Sequence, residues 1–185
     1  MKNSKFTFLF LFSFLISSCG FHLRGNQDLS AFLPEVQIQG TSKHSELGRE
    51  LTQALTSAKT NVLDESKTLI NISKDSFSKR ILSLDSTGRA NQYELSYQLS
   101  FSLVKKLKVD NADAKIKQNI VDLIPSQTIT EKREYLFDAN LILAKSDEEA
   151  RLNNDMRQAA ILQLVRRLNF SLKKSSLNLN HKDSK

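Results

Sequence analysis

Between Tyr93 and Leu103 apolar and polar positions alternate without a break: Tyr93, Leu95, Tyr97, Leu99, Phe101 and Leu103 against Glu94, Ser96, Gln98, Ser100 and Ser102. A period of two sustained this long suits a strand and not a helix, whose facing residues recur three or four apart. One side of the strand must be buried and the other polar, as in an antiparallel sheet covered on a single face. Upstream, Glu35 to Gln39 alternates through Val36 and Ile38 and stops at Gly40, which predicts a short first strand. Leu47, Leu51, Ala54, Leu55 and Ala58 then follow the spacing of one helical face and predict a helix over about 43–59. Thr68 to Ile72 and Phe77 to Leu84 predict one long strand or two collinear ones. The turn chemistry of Asp85-Ser86-Thr87-Gly88-Arg89, where Gly88 can take positive φ, predicts a hairpin tip.

Past a charged loop over Val109 to Lys117, extended character resumes from Gln127 to Phe137 with Ile129, Tyr135 and Phe137 in one phase. Glu131 and Arg133 share that phase, which predicts an edge strand or a bulge. Ser146-Asp147-Glu148-Glu149 has the form of a capping box and predicts a second helix starting near Asp147. Its buried stripe would be Met156, Ala160, Ile161, Leu164, Val165 and Leu168, with Arg151, Arg157, Arg166 and Arg167 mostly on other faces. From Lys173 the chain turns to Ser, Asn and Lys, which predicts a disordered tail over 173–185. Strand, helix, three or so antiparallel strands and a final helix make an α+β domain over 35–172. It is expected to pack two helices on one face of a four-stranded, mostly antiparallel sheet.

The N-terminus changes the picture. Lys2 and Lys5 precede an apolar run from Phe6 to Ile16, interrupted only by Thr7 and Ser13. The run is far shorter than the roughly 20 residues needed to cross a bilayer core, so it predicts a cleaved signal rather than a retained span. Ile16-Ser17-Ser18-Cys19 resembles the bacterial lipobox, in which cleavage precedes a diacylated cysteine. Residues 1–18 are therefore expected to be removed, and Cys19 to carry N-acyl and S-diacylglycerol lipid as the start of a linker over 19–34. Several acyl chains hold a protein stably on its membrane. Gly20 rather than Asp after the cysteine favours the outer membrane, with the folded part facing the periplasm.

Composition then narrows the partners. The signal holds two of the 27 Lys and Arg and none of the 20 Asp and Glu, so the remainder carries a formal charge of +5. That suits anionic lipid or an acidic polysaccharide. The expected compartment excludes nucleic acid, and a chain without Trp whose signal holds five of the 11 Phe offers little for stacking on sugars. The single cysteine, once lipidated, leaves no disulfide to form.

Cys19-Gly20-Phe21-His22-Leu23-Arg24-Gly25 resembles the start of mature members of the LptE family, lipopolysaccharide-assembly lipoproteins of Gram-negative bacteria. Gly88 before Asn91-Gln92-Tyr93 is similar to that family's hairpin leading into its long alternating strand. Phe137-Asp138-Ala139-Asn140 with Leu143-Ala144-Lys145 resembles the segment entering its last helix, so the likeness covers most of residues 19–170. The resemblance implies a two-helix, four-strand domain that sits as a plug in the LptD β-barrel, binds lipopolysaccharide and assists barrel assembly, without catalysis. It also implies ligand contacts from basic residues near the hairpin tip and before the last helix. Lys145 matches the second position; at the tip the family's basic residue falls near Ser86 here, while Arg89 lies just after the turn glycine.

Lipopolysaccharide carries phosphates, which call for cations able to reach phosphate oxygens, Arg bidentately. Arg89 and Lys145 are the first candidates, Lys132 and Arg133 the next, with Lys79 and Arg80 in support. His22, His44 and His181 show no metal-ligand spacing, and a linker-orienting hydrogen bond is expected of His22. The sequence contains no H-E-x-x-H, G-x-S-x-G or phosphate-cradling glycine loop, so no enzyme, metal or cofactor beyond the lipid on Cys19 is expected. The competing expectation is a general envelope-scaffold lipoprotein of the outer membrane that never touches lipopolysaccharide.

Overall fold

The computed structural model describes residues 28–107, 119–138 and 142–182. The expected signal, the lipidated Cys19, the run through Phe21, His22, Leu23 and Arg24, and the Val109–Lys117 loop lie outside them. The elements in chain order are β1 (Glu35–Gln39), α1 (Glu46–Ser57), β2 (Asn61–Val62), β3 (Thr68–Leu84), β4 (Ala90–Leu107), β5 (Asn119–Leu136) and α2 (Ile142–Lys182). The fold is α+β, as the patterning predicts. The sheet has five strands rather than four, in the order β2-β1-β3-β4-β5. The extra strand, β2, has two residues and pairs in parallel with Glu35 and Val36, too short to leave a periodic signal.

β1 runs parallel to β3, and α1 makes the crossover between them. Gly40 makes the exit from β1 possible: its φ is +87°, and a Cβ there would lie 2.0 Å from the Ile72 carbonyl oxygen. The helix start is fixed by Ser45, whose Oγ accepts from the Gly48 N–H at 3.0 Å. Leu47, Leu51 and Leu55 then face the core.

β3, β4 and β5 are antiparallel and 17 or 18 residues long, against a usual strand of about five or six. Their span of about 60 Å matches the 41 residues of α2. β4 lies in the middle and fulfils the alternation: Leu95, Tyr97, Leu99, Phe101 and Leu103 are buried under the helices. Glu94, Ser96, Gln98, Ser100 and Ser102 occupy the opposite face. β3 is one strand, bulged near Ser73, where Ile72 and Lys74 face the adjacent residues Phe101 and Ser100.

β5 is an edge strand and is bulged, the two alternatives its mixed phase suggested. It begins at Asn119, eight residues before the expected start. The bulge falls at Pro125 and Ser126, which lie between partners of Phe101 and Leu103. A proline cannot donate to a ladder, so an edge bulge is where it fits. It also interrupts the apolar pattern from which a strand would be read.

Three further boundaries differ from expectation. Leu29 and Leu33, expected in the linker, are buried, and the Leu29 N–H donates to the Ala58 carbonyl at 2.9 Å. Their i, i+4 spacing places both on one side of a single turn. α2 starts at Ile142, so Ser146-Asp147-Glu148-Glu149 is not its cap but part of its second turn. At its other end α2 continues to Lys182, whereas the polar composition from Lys173 predicts disorder. Arg157, expected off the buried stripe, is only 7% exposed and joins the two helices.

Candidate functional site

The pairing registers bring the basic candidates to the hairpin end of the sheet. Lys79 lies opposite Leu95 and Arg80 opposite Glu94 on one flank of β4, while Arg133 lies opposite Leu95 and Lys132 opposite Ser96 on the other. Arg89 closes the turn between β3 and β4, and Lys145 sits in the first turn of α2. The gathering is divided by the sheet. Arg80 and Lys132 share the face away from the helices, whereas Lys79 and Arg133 are in phase with the buried side of β4.

On the uncovered face Arg80 grips Glu94 bidentately, Nε to Oε1 at 2.7 Å and Nη2 to Oε2 at 3.1 Å. Lys132 Nζ donates to the same Oε1 at 3.3 Å. The Arg80 bond, with that of Lys132, outweighs desolvation and lowers the Glu94 pKa from 4.5 to about 2. A depressed carboxylate stabilises the folded state fully above its ordinary pKa and loses that contribution as pH falls through the folded value. The stability difference between wild type and Glu94→Gln should therefore be constant above about pH 4.5 and shrink between there and pH 2. Denaturant midpoints across that window measure it, and a difference that does not change with pH would contradict the assignment.

On the other face Lys79 Nζ lies 2.6 Å from Glu149 Oε2 and 4.1 Å from the Tyr93 ring centroid. The Tyr135 hydroxyl donates to the same Glu149 oxygen at 2.6 Å. Tyr93 stacks on Tyr135 and meets Phe137 edge-on, so three rings and one carboxylate surround the ammonium. Desolvation lowers the Lys79 pKa, but Glu149 and Tyr135 outweigh it and the net shift is upward. Sequence patterning missed this cluster because Glu149 looks like a helix-capping acid. What it does instead is hold the start of α2 onto β3 and β5.

The remaining candidates differ in how available they are. Arg133 bonds the Lys132 carbonyl at 2.7 Å and lies 3.6 Å from Glu131. Lys145 pairs with Glu148 at 2.7 Å and is largely covered. Arg89 donates only its backbone N–H, to Asp85 Oδ1, and among the described residues its exposed guanidinium has no carboxylate bound to it. The same Asp85 oxygen accepts from the Thr87 N–H and hydroxyl, and Gly88 takes φ +80°, so local hydrogen bonds define the turn. An incoming anion would meet Arg89 directly and would have to displace a carboxylate from the others.

The face around Glu94 is polar throughout: Asn71, Lys74, Ser76, Ser78 and Arg80 on β3 and Thr128, Thr130, Lys132 and Glu134 on β5 flank the polar residues of β4. Ser100 and Thr128 join hydroxyls across the strands at 2.8 Å. Both helices pack on the opposite side, which leaves this face uncovered among the described residues.

The family described as LptE, lipopolysaccharide-assembly, matches residues 33–168. The chain is similar to the LPS-assembly lipoprotein LptE of Photorhabdus laumondii, 26% identical over 173 residues, covering 91% of this chain and 87% of that protein. It superposes on the solution structure of an uncharacterised lipoprotein B from Nitrosomonas europaea with a TM-score of 0.60 and 27% identity, over 88% of this chain and 96% of the other. The crystal structure of rare lipoprotein B from Shewanella oneidensis gives a TM-score of 0.56 at 25% identity, over 80% of this chain and 99% of the other.

Proposed function

The chain belongs to the LptE family of lipopolysaccharide-assembly proteins, and from that premise we propose that it is an outer-membrane lipoprotein, anchored through lipid on Cys19, that plugs the LptD β-barrel. In this role it binds lipopolysaccharide and assists its assembly into the outer leaflet. The observation that carries the reading is the family match across nearly the whole described domain. The work is geometric rather than catalytic: a rigid body fills the barrel and presents cations to the ligand.

Two features of the fold support it. The uncovered Ser, Thr and Gln face suits a polar barrel lumen, since hydroxyls and amides can exchange hydrogen bonds with polar groups lining the interior. Among the described residues no carboxylate is bound to the Arg89 guanidinium at the hairpin tip, so phosphate oxygens could accept from it directly. Lys145, Lys132 and Arg133 would join by exchanging carboxylate for phosphate.

A charge-assisted bond to an exposed guanidinium is worth about 1.5–3 kcal/mol, so Arg89→Ala is expected to weaken lipopolysaccharide binding roughly tenfold or more. Lys145→Ala should weaken it less, because Glu148 already satisfies that ammonium. Direct binding of purified lipopolysaccharide to wild type and both variants measures this, alongside recovery of a barrel partner from gently solubilised outer membranes. Recovery of the chain alone, with no lipopolysaccharide bound, would favour the envelope-scaffold alternative.

A further inference from the structure

β3 has an open edge above the point where β1 leaves it. β1 pairs with Leu69 to Asn71, and Gly40 then turns the chain away. From Lys74 to Ile81 the register against β4 is unbroken, and among the described residues no strand lies on the other side. The Phe137 N–H donates to the Asn91 carbonyl at 2.8 Å, so odd-numbered β4 residues direct their main chain to β5 and even-numbered ones to β3. Lys74, Ser76, Ser78 and Arg80 therefore bond β4, while the N–H and C=O groups of Asp75, Phe77, Lys79 and Ile81 point outward. These eight residues form a lane about 26 Å long, in line with β1.

Long edges are normally blunted, and the opposite edge of this sheet is. β5 has its Pro125 bulge, and its outward carbonyls at Thr128 and Lys132 accept from Arg167 at 3.2 Å and from Arg133 at 2.7 Å. On β3 the four charged side chains of the lane turn inward instead, to β4 or α2. Lys74 bonds Gln98, Asp75 accepts from the Tyr97 hydroxyl at 2.9 Å, Lys79 bonds Glu149 at 2.6 Å and Arg80 bonds Glu94 at 2.7 Å. None of them guards the edge. Phe77 and Ile81 line its helix side and are 40% and 53% exposed. A row of main-chain donors and acceptors at strand spacing is matched by another strand, and not by a lipid chain or a sugar.

We propose that the Lys74–Ile81 edge of β3 receives an extended segment of the barrel partner, which joins the sheet as a strand in the lane above β1. The inference rests on the plug reading, which encloses this edge so that a segment folding in from the barrel reaches it. Side chains on one side of the added strand would be apolar, against Phe77 and Ile81. On the other side they would be acidic or polar, because Lys74 bonds the neutral Gln98 and among the described residues no carboxylate balances its charge. Main-chain bonds give such a joint its affinity, and the alternating side chains give it its register. The joint fixes the rotation of the plug, which a polar face against a polar lumen does not.

The full lipidated chain is purified alone and in complex with the LptD barrel, and amide hydrogen exchange is followed residue by residue. In the complex the Asp75, Phe77 and Lys79 amides are expected to slow at least about tenfold, while Ser76 and Ser78, already bonded to β4, hardly change. Ile81→Pro, which removes an outward N–H, is expected to weaken the complex about fivefold. Ile81→Val and, on the other edge, Thr130→Pro should leave it unchanged. A complex in which the outward β3 amides exchange as in the free chain would overturn the strand and leave the plug standing. Equal slowing of the outward Thr130 amide on β5 would mean general enclosure and would also overturn it. Slowing caused by lipopolysaccharide alone, or by raising the concentration of the free chain, would replace the strand with a ligand or a second copy. Failure to form any complex would sink both readings.

Discussion

Arg157→Ala should lower the unfolding free energy by about 3 kcal/mol, because it leaves a partly buried carboxylate without its counter-ion. The Arg157 side chain is 9% exposed and that of Glu50 is 24%. The guanidinium meets Glu50 through Nε at 3.2 Å and Nη2 at 3.0 Å, Glu46 through Nη1 at 2.9 Å and Asn154 through Nη2 at 2.9 Å. One side chain of α2 thus ties down the first turns of α1. The figure sits at the lower end of the buried-pair range because Glu50 retains some access to water. The double change Arg157→Met with Glu50→Leu removes both charges and keeps volume, and should recover to within about 1 kcal/mol of wild type. Equal destabilisation of single and double variants in denaturant titrations would show that packing, and not the unpaired charge, sets the cost.

Phe101→Ala should cost about 3–5 kcal/mol, the range for truncating a buried aromatic ring. Phe101 is fully buried, lies opposite Ile72 on β3 and Gln127 on β5, and belongs to the core shared by both helices. Its neighbour Ser100 points to the other face and bonds Thr128, so Ser100→Ala should cost only about 1 kcal/mol. The expected signature is a large shift of the denaturant midpoint for the first variant and a small one for the second, with little change of slope. Comparable shifts for both would mean that the polar face is covered as thoroughly as the apolar one. The pair therefore also tests whether that face is free for a partner.

β4 was legible because a central strand covered on one side must alternate, and α1 because its apolar spacing is local; its Ser45 cap emerged only in the structure. The edges were less so. Pro125 broke the pattern of β5, and two residues were enough for β2, so register with neighbours set both boundaries. The start of α2 was misplaced because Ser146 to Glu149 satisfies a capping rule, while Lys79 and Tyr135, distant in sequence, give Glu149 its actual partners. The basic candidates were identified by residue type and by family likeness, but their pairing could not be, since each carboxylate partner is chosen by strand register or helix placement.

Sequence by itself determined the α+β class, the buried face of the long strand, the hairpin tip and the lipobox-like start, all of which follow from periodicity or contiguous residues. Tertiary structure alone decided that Arg80 and Lys132 converge on Glu94, that Arg157 is a buried clasp, and that among the described residues no carboxylate is bound to the Arg89 guanidinium. It also decided that, among the described residues, the edge of β3 above Gly40 is left unpaired. Each of these depends on distances between residues far apart in the chain, and local preference carries no information about such distances.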